Sequence, residues 1–458
     1  MKIIIVGAGQ VGASIAEILS REENDVTLID SNKHILGKIQ DRLDIQTVIG
    51  PGSSPTVLEQ AGVEDADLIL AVTNSDEVNM IACQIAHSLF NTPTKIARVR
   101  SADYLAHPKL FCHQYIPIDV IISPEQIVTN QIHRLIEYPG ALQVIDFAGG
   151  KIRLVGLRAY QSGALVGHEL RELKNHLPSV KTRVAAIYRQ DAAMIPTGGT
   201  VIEPDDEVFF IATQEDIKGV MQELRAIEEV GHKVILAGAG NIGLRLAQSL
   251  ESNGFQVKLI ERNLERAQWA SENLEDTVVL QGDAADEELL RQENIDSMEL
   301  FCSLTNDDEA NILSAMLAKR LGARRAMAIV NRSAYIDMIE SSVLDIAISP
   351  RLSTVSALLS HVRRGDVVAA HSLRRGVAEA IEAIAHGDRR TSKIVGRTIG
   401  EISLPEGATI GAILREEELV AIDNDTIIED GDHVIIFVID KKRIPEVEKL
   451  FQVSATFF

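Results

Sequence analysis

This sequence predicts an α/β protein: two doubly wound parallel-sheet lobes in tandem, each followed by a small α+β C-terminal lobe. Residues 3–12 read IIIVGAGQVG and residues 234–243 read VILAGAGNIG, a match displaced by 231 positions. Short aliphatic runs alternate with helical stretches, as they do in a parallel sheet covered on both faces. The match also persists along the chain. Leu28-Ile29-Asp30 falls on Leu259-Ile260-Glu261, and Asn32 on Asn263. After one inserted residue, Thr73-Asn74-Ser75-Asp76-Glu77-Val78-Asn79 falls on Thr305-Asn306-Asp307-Asp308-Glu309-Ala310-Asn311. Ile118–Pro124 then falls on Leu344–Pro350, and Val201-Ile202-Glu203 with Asp206 on Ile427-Ile428-Glu429 with Asp432. One two-part unit, present twice, accounts for nearly the whole chain.

In the first copy, strands are expected at Lys2–Val6, Val26–Ile29, Gln46–Ile49, Leu68–Val72, Ile96–Val99 and Val120–Ile122. Between them lie helical stretches such as Val11–Leu19, with Ile15, Ile18 and Leu19 on one face, and Glu77–Leu89. A helical run Glu125–Tyr138 follows Ser123-Pro124 and stops at Pro139-Gly140. Its counterpart, Leu352–Arg363, carries Val355, Leu358, Leu359 and Val362 at i, i+3, i+4, i+7 spacing. These two runs are expected as crossover or dimer helices, with burial inside one lobe as the alternative. Strand-rich segments with turn signals at Ala148-Gly149-Gly150, Gly198-Gly199 and Asp430-Gly431 come next. Helices Glu215–Arg225 and Lys442–Phe451 close the two copies. The divisions expected are 1–123 and 232–348 for the parallel lobes, 124–142 and 349–367 for the crossover helices, and 143–227 and 368–453 for the C-terminal lobes.

The 458 residues are 46% apolar and 24% charged, which argues for a folded chain. Lys and Arg number 45 against 66 Asp and Glu, a formal charge of −21. Such a surface repels phosphate backbones and anionic headgroups, so neither nucleic acid nor direct lipid binding is expected. The longest purely aliphatic or aromatic run, Val434–Ile439, falls far short of the ~20 residues of a membrane span. The N-terminus carries a lone Lys2 and no small-residue cleavage site, unlike a signal peptide. Cys83, Cys112 and Cys302, odd in number and widely spaced, read as reduced, buried thiols of a cytosolic protein. The clusters Asp205-Asp206-Glu207 and Glu416-Glu417-Glu418 read as solvated turns.

Gly7-x-Gly9-x-x-Gly12 stands between a strand and a helix, and Asp30 ends the next strand; this is the Rossmann-type dinucleotide fingerprint. Gly7 permits the tight turn, Gly9 lets a pyrophosphate approach the backbone, and Gly12 lets the helix pack close to the strand. Helix N-terminal N–H groups then hold phosphates. Asp30 accepts ribose hydroxyls and repels a 2′-phosphate, which favours NAD(H) over NADP(H). Gly238-x-Gly240-x-x-Gly243 with Glu261 repeats the pattern. Thr73-Asn74 and Thr305-Asn306 follow the fourth strands, on the carboxyl edge where ligands bind. Asp76 and Asp308 are expected to cap the helices that follow. Arg98, on the fifth strand, either offsets phosphate charge or forms a surface ion pair. Its counterpart by displacement is Val330, so the second site is expected to be weaker, differently selective or empty.

The twelve histidines share no motif between copies and show no metal-ligand spacing. His113 beside Cys112 reads as packing. No nucleophile elbow or Walker loop is present. Neither a catalytic nor a metal site is therefore expected, and the nucleotide is sensed rather than consumed. The competing reading is an NAD-dependent oxidoreductase with duplicated Rossmann domains. That reading requires an acid/base group near the nicotinamide, and no residue recommends itself.

MKIIIVGAGQVG, the stretch TNSDEVNMIACQIAHSLFNTP (73–93), RLIEYPGALQV (134–144), TNDDEANILSAMLAKR (305–320) and RRGVAEAIEA (374–383) carry a full-length resemblance. They resemble the peripheral regulatory proteins of bacterial Trk potassium uptake. The resemblance implies two RCK (regulator of potassium conductance) units and no enzymatic activity. It implies binding of NAD(H), with response to ATP or ADP in family members. It further implies a homo-oligomeric ring, expected to be a tetramer, on the cytoplasmic face of the inner membrane against a separate potassium-translocating subunit. Carried over by position, the first site is Gly7, Ala8, Gly9, Gln10, Val11, Asp30, Thr73, Asn74 and Arg98, with Gly12 closing the loop. The second is Gly238, Ala239, Gly240, Asn241, Ile242, Glu261 and Thr305, closed by Gly243, and it departs from the first in lacking the arginine.

Overall fold

Ile3, Ile4 and Ile5 are all fully buried, as successive residues of a strand are when its sheet is covered on both faces. The computed structural model describes residues 1–22, 24–178, 180–190, 192–224, 231–339, 344–362, 367–373 and 377–453. The chain divides into two units, Met1–Ile127 with Pro350–Val362, and the remainder.

The first unit holds β1 (Lys2–Val6), β2 (Asp25–Asp30), β3 (Gln46–Ile49), β4 (Leu68–Ala71), β5 (Thr94–Arg98) and β6 (Val120–Ile122). All pairs are parallel, in the order β3-β2-β1-β4-β5-β6. The order reverses between β1 and β4, and this switch point is where such sheets bind ligands. The helix Pro350–Val362, from the second copy, packs against a face of this lobe: Val355, Leu358, Leu359 and Val362 share a core with Ile3, Ile15 and Leu19 of the first copy.

In the second unit, β7 (Ala141–Phe147), β8 (Ile152–Arg158), β9 (Arg183–Arg189), β10 (Ala192–Met194) and β11 (Glu207–Thr213) form an antiparallel sheet. A second parallel sheet has the first one's order: β12 (Lys233–Ala237), β13 (Gln256–Glu261), β14 (Val278–Gln281), β15 (Leu300–Ser303), β16 (Arg325–Ile329) and β17 (Ile346–Ile348). A second antiparallel sheet comprises β18 (Val367–Leu373), β19 (Ala378–Ile384), β20 (Ala408–Arg415), β21 (Glu418–Leu419) and β22 (His433–Val438). The two antiparallel sheets share a core through Phe147, Leu154 and Phe209 on one side and Leu373, Ala380 and Phe437 on the other. The helix Pro124–Glu137 enters this unit at Val128. Its Val128, Ile132, Leu135 and Ile136 join the cluster that holds Leu246, Leu250 and Ile348 of the second copy. Each copy's linking helix is thus buried against the other copy's parallel lobe.

Several expectations need correction. Asp206 is buried rather than solvated, and it grips Arg189 at 2.7–2.8 Å and the amide of Glu203 at 2.9 Å. Asp432 repeats this with Arg415 and the amide of Glu429. Glu207 and Glu418 lie in strands, whereas Glu416 and Glu417 form an exposed turn with positive φ. Cys83 and Cys302 are buried, but Cys112 is only half-buried. Burial pushes the Cys83 thiol up to about 12 and Cys302 further in the same direction, so neither is a nucleophile. The helix expected at Glu215–Arg225 is regular only over Ile217–Gln222. Arg225, Arg363 and the start of the 374–383 string lie outside the described residues.

Candidate nucleotide-binding sites

The three glycines of the first loop have three different surroundings. Gly7 has φ +108°, and a Cβ there would stand 2.9 Å from the Thr73 nitrogen. At Gly12 a Cβ would meet the Gly7 carbonyl oxygen at 1.9 Å, while at Gly9 it would meet nothing within 4 Å. Two of them therefore hold the turn together, and the third leaves open space. Gly9 begins the helix Gln10–Arg21, which has no side-chain cap and no acid in its first turn. By contrast, Asn32 and Ser75 cap the helices Lys33–Gln40 and Asp76–Phe90 through their side chains. The uncapped helix start leaves N–H donors facing the loop, a cradle suited to a phosphate.

Asp30 closes the other side of the cradle. Its Oδ2 accepts from Ala8 N at 2.7 Å and its Oδ1 from Asn32 N at 2.8 Å. Each carboxylate oxygen keeps further lone-pair capacity for a ribose hydroxyl. Ala8 and Gly12 are buried, Val11 is half-buried, and Gly9 and Gln10 are exposed.

Thr73 is fixed by a residue the sequence reading did not single out. Asn79, fully buried, accepts from Thr73 N at 2.9 Å and Thr73 Oγ1 at 2.7 Å, and donates to the carbonyls of Thr73 at 3.2 Å and Arg98 at 2.9 Å. One amide thus ties the end of β4 to the end of β5. Asn74 is exposed at the rim. Asp76 is not the cap of its helix; Ser75 is. The Asp76 carboxylate instead accepts from Arg100 N at 2.9 Å and Ser101 N at 2.8 Å, pinning the loop after β5. Arg98 is half-buried, and its Nε is enclosed with no hydrogen-bond partner among the described residues. Burial, then the neighbouring Arg100, pushes its pKa below the usual guanidinium range, against the pull of Glu125 and Asp76. An enclosed cation with an orphaned N–H suits an anionic ligand group.

The second cradle repeats this geometry. Gly238 has φ +105°, a Cβ at Gly243 would meet the Gly238 carbonyl at 1.9 Å, and Gly240 faces open space. The helix Asn241–Ser252 is likewise uncapped, with Ile242 half-buried. Glu261 accepts from Ala239 N at 2.7 Å and Asn263 N at 2.9 Å. Asn311 accepts from Thr305 N at 3.0 Å and donates to the carbonyls of Thr305 at 2.9 Å and Ile329 at 3.0 Å. Asp307 caps the helix, and Asp308 holds the amides of Asn331 and Arg332. Asn311 also corrects the alignment: the partner of Arg98 is Ile329, not Val330, because the second copy is one residue shorter before its fifth strand. Asn79 and Asn311 were visible as the last letters of the matched seven-residue strings, a polar residue kept at an inward helical position. Among the described residues no group of three His, Cys, Asp or Glu is placed to hold a metal ion.

The TrkA-N domain model matches residues 3–124 and 234–350, and the TrkA-C domain model matches 154–225 and 389–452. The chain belongs to the TrkA family. It is 59% identical to the Trk system potassium uptake protein TrkA of Halomonas elongata and 54% to that of Vibrio alginolyticus, each over the full length of both chains. Among solved structures, the GsuK RCK domain superposes with TM-score 0.61 at 19% identity, over 98% of this chain and 94% of that one. The GsuK channel bound to NAD gives TM-score 0.61 at 18% identity, over 98% and 78%. At that identity the likeness is one of fold. This TrkA-family chain is a regulatory protein of potassium uptake rather than an enzyme. No described helix is long and apolar enough to cross a membrane.

Proposed function

We propose that this chain is the cytoplasmic, nucleotide-binding gating subunit of a Trk-type potassium uptake system. It binds NAD(H), and ATP or ADP, in the cradles of lobes 1–123 and 232–348. The linking segments 124–142 and 349–367 and the C-terminal lobes 143–227 and 368–453 pass the change to a separate membrane subunit at the inner membrane. The observation that carries this reading is the uncapped helix start at Gly9, open where a pyrophosphate must lie. Gly7 to Gly12, Asp30, Thr73, Asn74 and Arg98 hold the first ligand; Gly238 to Gly243, Glu261 and Thr305 hold the second.

The assembly is a homo-oligomeric ring, a tetramer, and Ile81 and Leu313 support a repeated protein contact within it. These residues occupy equivalent positions on the helices Asp76–Phe90 and Asp308–Arg320, and are 47% and 61% exposed. Large apolar side chains open at the same place in both copies suit a repeated protein contact. The net charge of −21 suits docking on the Lys/Arg-rich cytoplasmic loops of a membrane protein.

Ligand binding biases the pore only through different affinities for two conformations of the assembly. A coupling of about 1–3 kcal/mol is typical and gives several-fold to hundred-fold control. The test is potassium flux through the co-purified membrane subunit in vesicles, titrated separately with NADH, NAD, ATP and ADP. At least one nucleotide should change flux saturably, and Asp30→Ala should weaken NADH binding tenfold or more. Flux indifferent to all four, or unchanged NADH affinity in D30A, would sink the proposal.

A further inference from the structure

The two cradles place their nearby cation on opposite sides. In the first, Arg98 ends β5; the second has Ile329 there. On the other side, beside the carboxylate that ends the second strand, the roles reverse. Asn32 Oδ1 accepts from Ile35 N at 3.2 Å, and Asn263 Oδ1 accepts from Arg266 N at 2.8 Å, so Arg266 stands where the first copy has Ile35.

Arg266 does not trail into solvent. Its Nε donates to the carbonyl of Ala239 at 2.7 Å, inside the glycine loop, and its guanidinium lies 3.9 Å from the ring centroid of Trp269. The amide of the same Ala239 is held by Glu261. Among the described residues the Arg266 Nη atoms make no hydrogen bond or ion pair. One face of the guanidinium is therefore covered by an indole and one edge is anchored to the loop, beside the acid suited to ribose hydroxyls. A guanidinium so oriented is a ready platform for an aromatic base, which stacks on arginine planes.

We infer that Arg266 reads the adenine base in the second cradle. It makes that cradle a site for adenosine nucleotides as a class, with no requirement for a nicotinamide half. The inference rests on the reading of both cradles as nucleotide sites. It also changes the expectation raised by the missing arginine: the second site is differently selective rather than empty. The first cradle, with apolar Ile35 on the adenosine side and Arg98 on the other, draws more of its affinity from the phosphates and beyond.

Trp269 is the single tryptophan of the chain, so its emission reports on this site alone. Titration of the full-length protein with ADP should change that emission saturably, and nicotinamide mononucleotide should not. Arg266→Ile, which copies the first cradle at a half-exposed position, should raise the ADP midpoint at least tenfold; Arg266→Lys, keeping the charge without the plane, should fall between. If Glu261→Ala leaves the ADP titration unchanged, the cradle reading itself fails. If Glu261→Ala abolishes it while Arg266→Ile leaves the midpoint unmoved, the role of Arg266 alone is overturned. Calorimetric ADP binding with no emission change would show that no adenine reaches Arg266 and Trp269, and would also overturn the inference.

Discussion

Arg325, on β16 of the second copy, donates from Nη1 to the main-chain carbonyl of Leu135, 3.1 Å away near the end of the first copy's linking helix. The same buried guanidinium contacts Glu299 at 2.9–3.0 Å. A helix from one repeat is thereby fastened to the parallel sheet of the other by a charged group with little access to water.

Removing that fastening should be costly. Among the described residues, Arg325→Ala leaves the 5% exposed Glu299 with Arg324, at 3.3 Å, as its remaining cation, and it deprives Leu135 of its donor. Stability should fall by about 3 kcal/mol, the usual scale for breaking a buried pair from one side. Urea unfolding followed by circular dichroism reads this as a lower midpoint at unchanged slope. An unmoved midpoint would show that the contact contributes nothing.

Gly9 and Gly12 should separate stability from binding. Gly12→Ala puts a methyl 1.9 Å from the Gly7 carbonyl, so the strand–helix packing must give way and the protein should lose several degrees of Tm. Gly9→Ala meets nothing within 4 Å and should melt within about 2 °C of the parent. Yet it fills the space required by a pyrophosphate, so NADH affinity should drop at least tenfold. Melting curves and calorimetry on the two variants check this; a Gly9→Ala protein that binds normally would contradict the cradle.

Asn79→Ala should damage both properties together. The substitution orphans the Thr73 amide and the carbonyls of Thr73 and Arg98 within a buried setting. A loss of about 2–3 kcal/mol is expected, with weaker nucleotide binding because the ends of β4 and β5 are no longer tied. Denaturation and NADH titration of the same preparation provide the measurement. Wild-type affinity would remove Thr73 from the site.

Acid should loosen the seam between the two antiparallel sheets through His371, whose ring stands edge-on to Phe147 with centroids 5.3 Å apart. Burial, reinforced by Arg134 and opposed by Asp146, pushes its pKa down to about 4. Below the unfolded value near 6.5 the unfolded chain takes up the proton first, so stability falls as pH drops from about 6.5 toward 4. His371 keeps some exposure, so its share should be about 2 kcal/mol. His371→Phe should flatten the pH dependence of the unfolding midpoint across that window, and an identical profile would assign the acid sensitivity elsewhere.

The glycine loops, the acids Asp30 and Glu261, and the strands that carry them were legible in the sequence because their causes are local. A turn at positive φ demands glycine, and a strand buried on both faces demands an unbroken aliphatic run. Other details depended on the register of a few residues. Ser75 and Asp307, not the following aspartates, cap their helices, because the chain turns one residue earlier than the acidic pattern suggests. Asp206 has the sequence surroundings of a surface acid, but Arg189 folds onto it and takes it out of water.

The amino-acid pattern alone established that a parallel α/β unit occurs twice and that each copy carries a glycine loop at a helix start. It also showed, from spacing, an apolar stripe on the linking run Leu352–Arg363. Tertiary contacts settle which lobe covers each linking helix, which strand end is tied to Thr73, and that Arg266 lies along the glycine loop. Periodicity specifies that a face must leave water, but nothing in it names the surface that receives it; that choice belongs to contacts between residues more than a hundred positions apart.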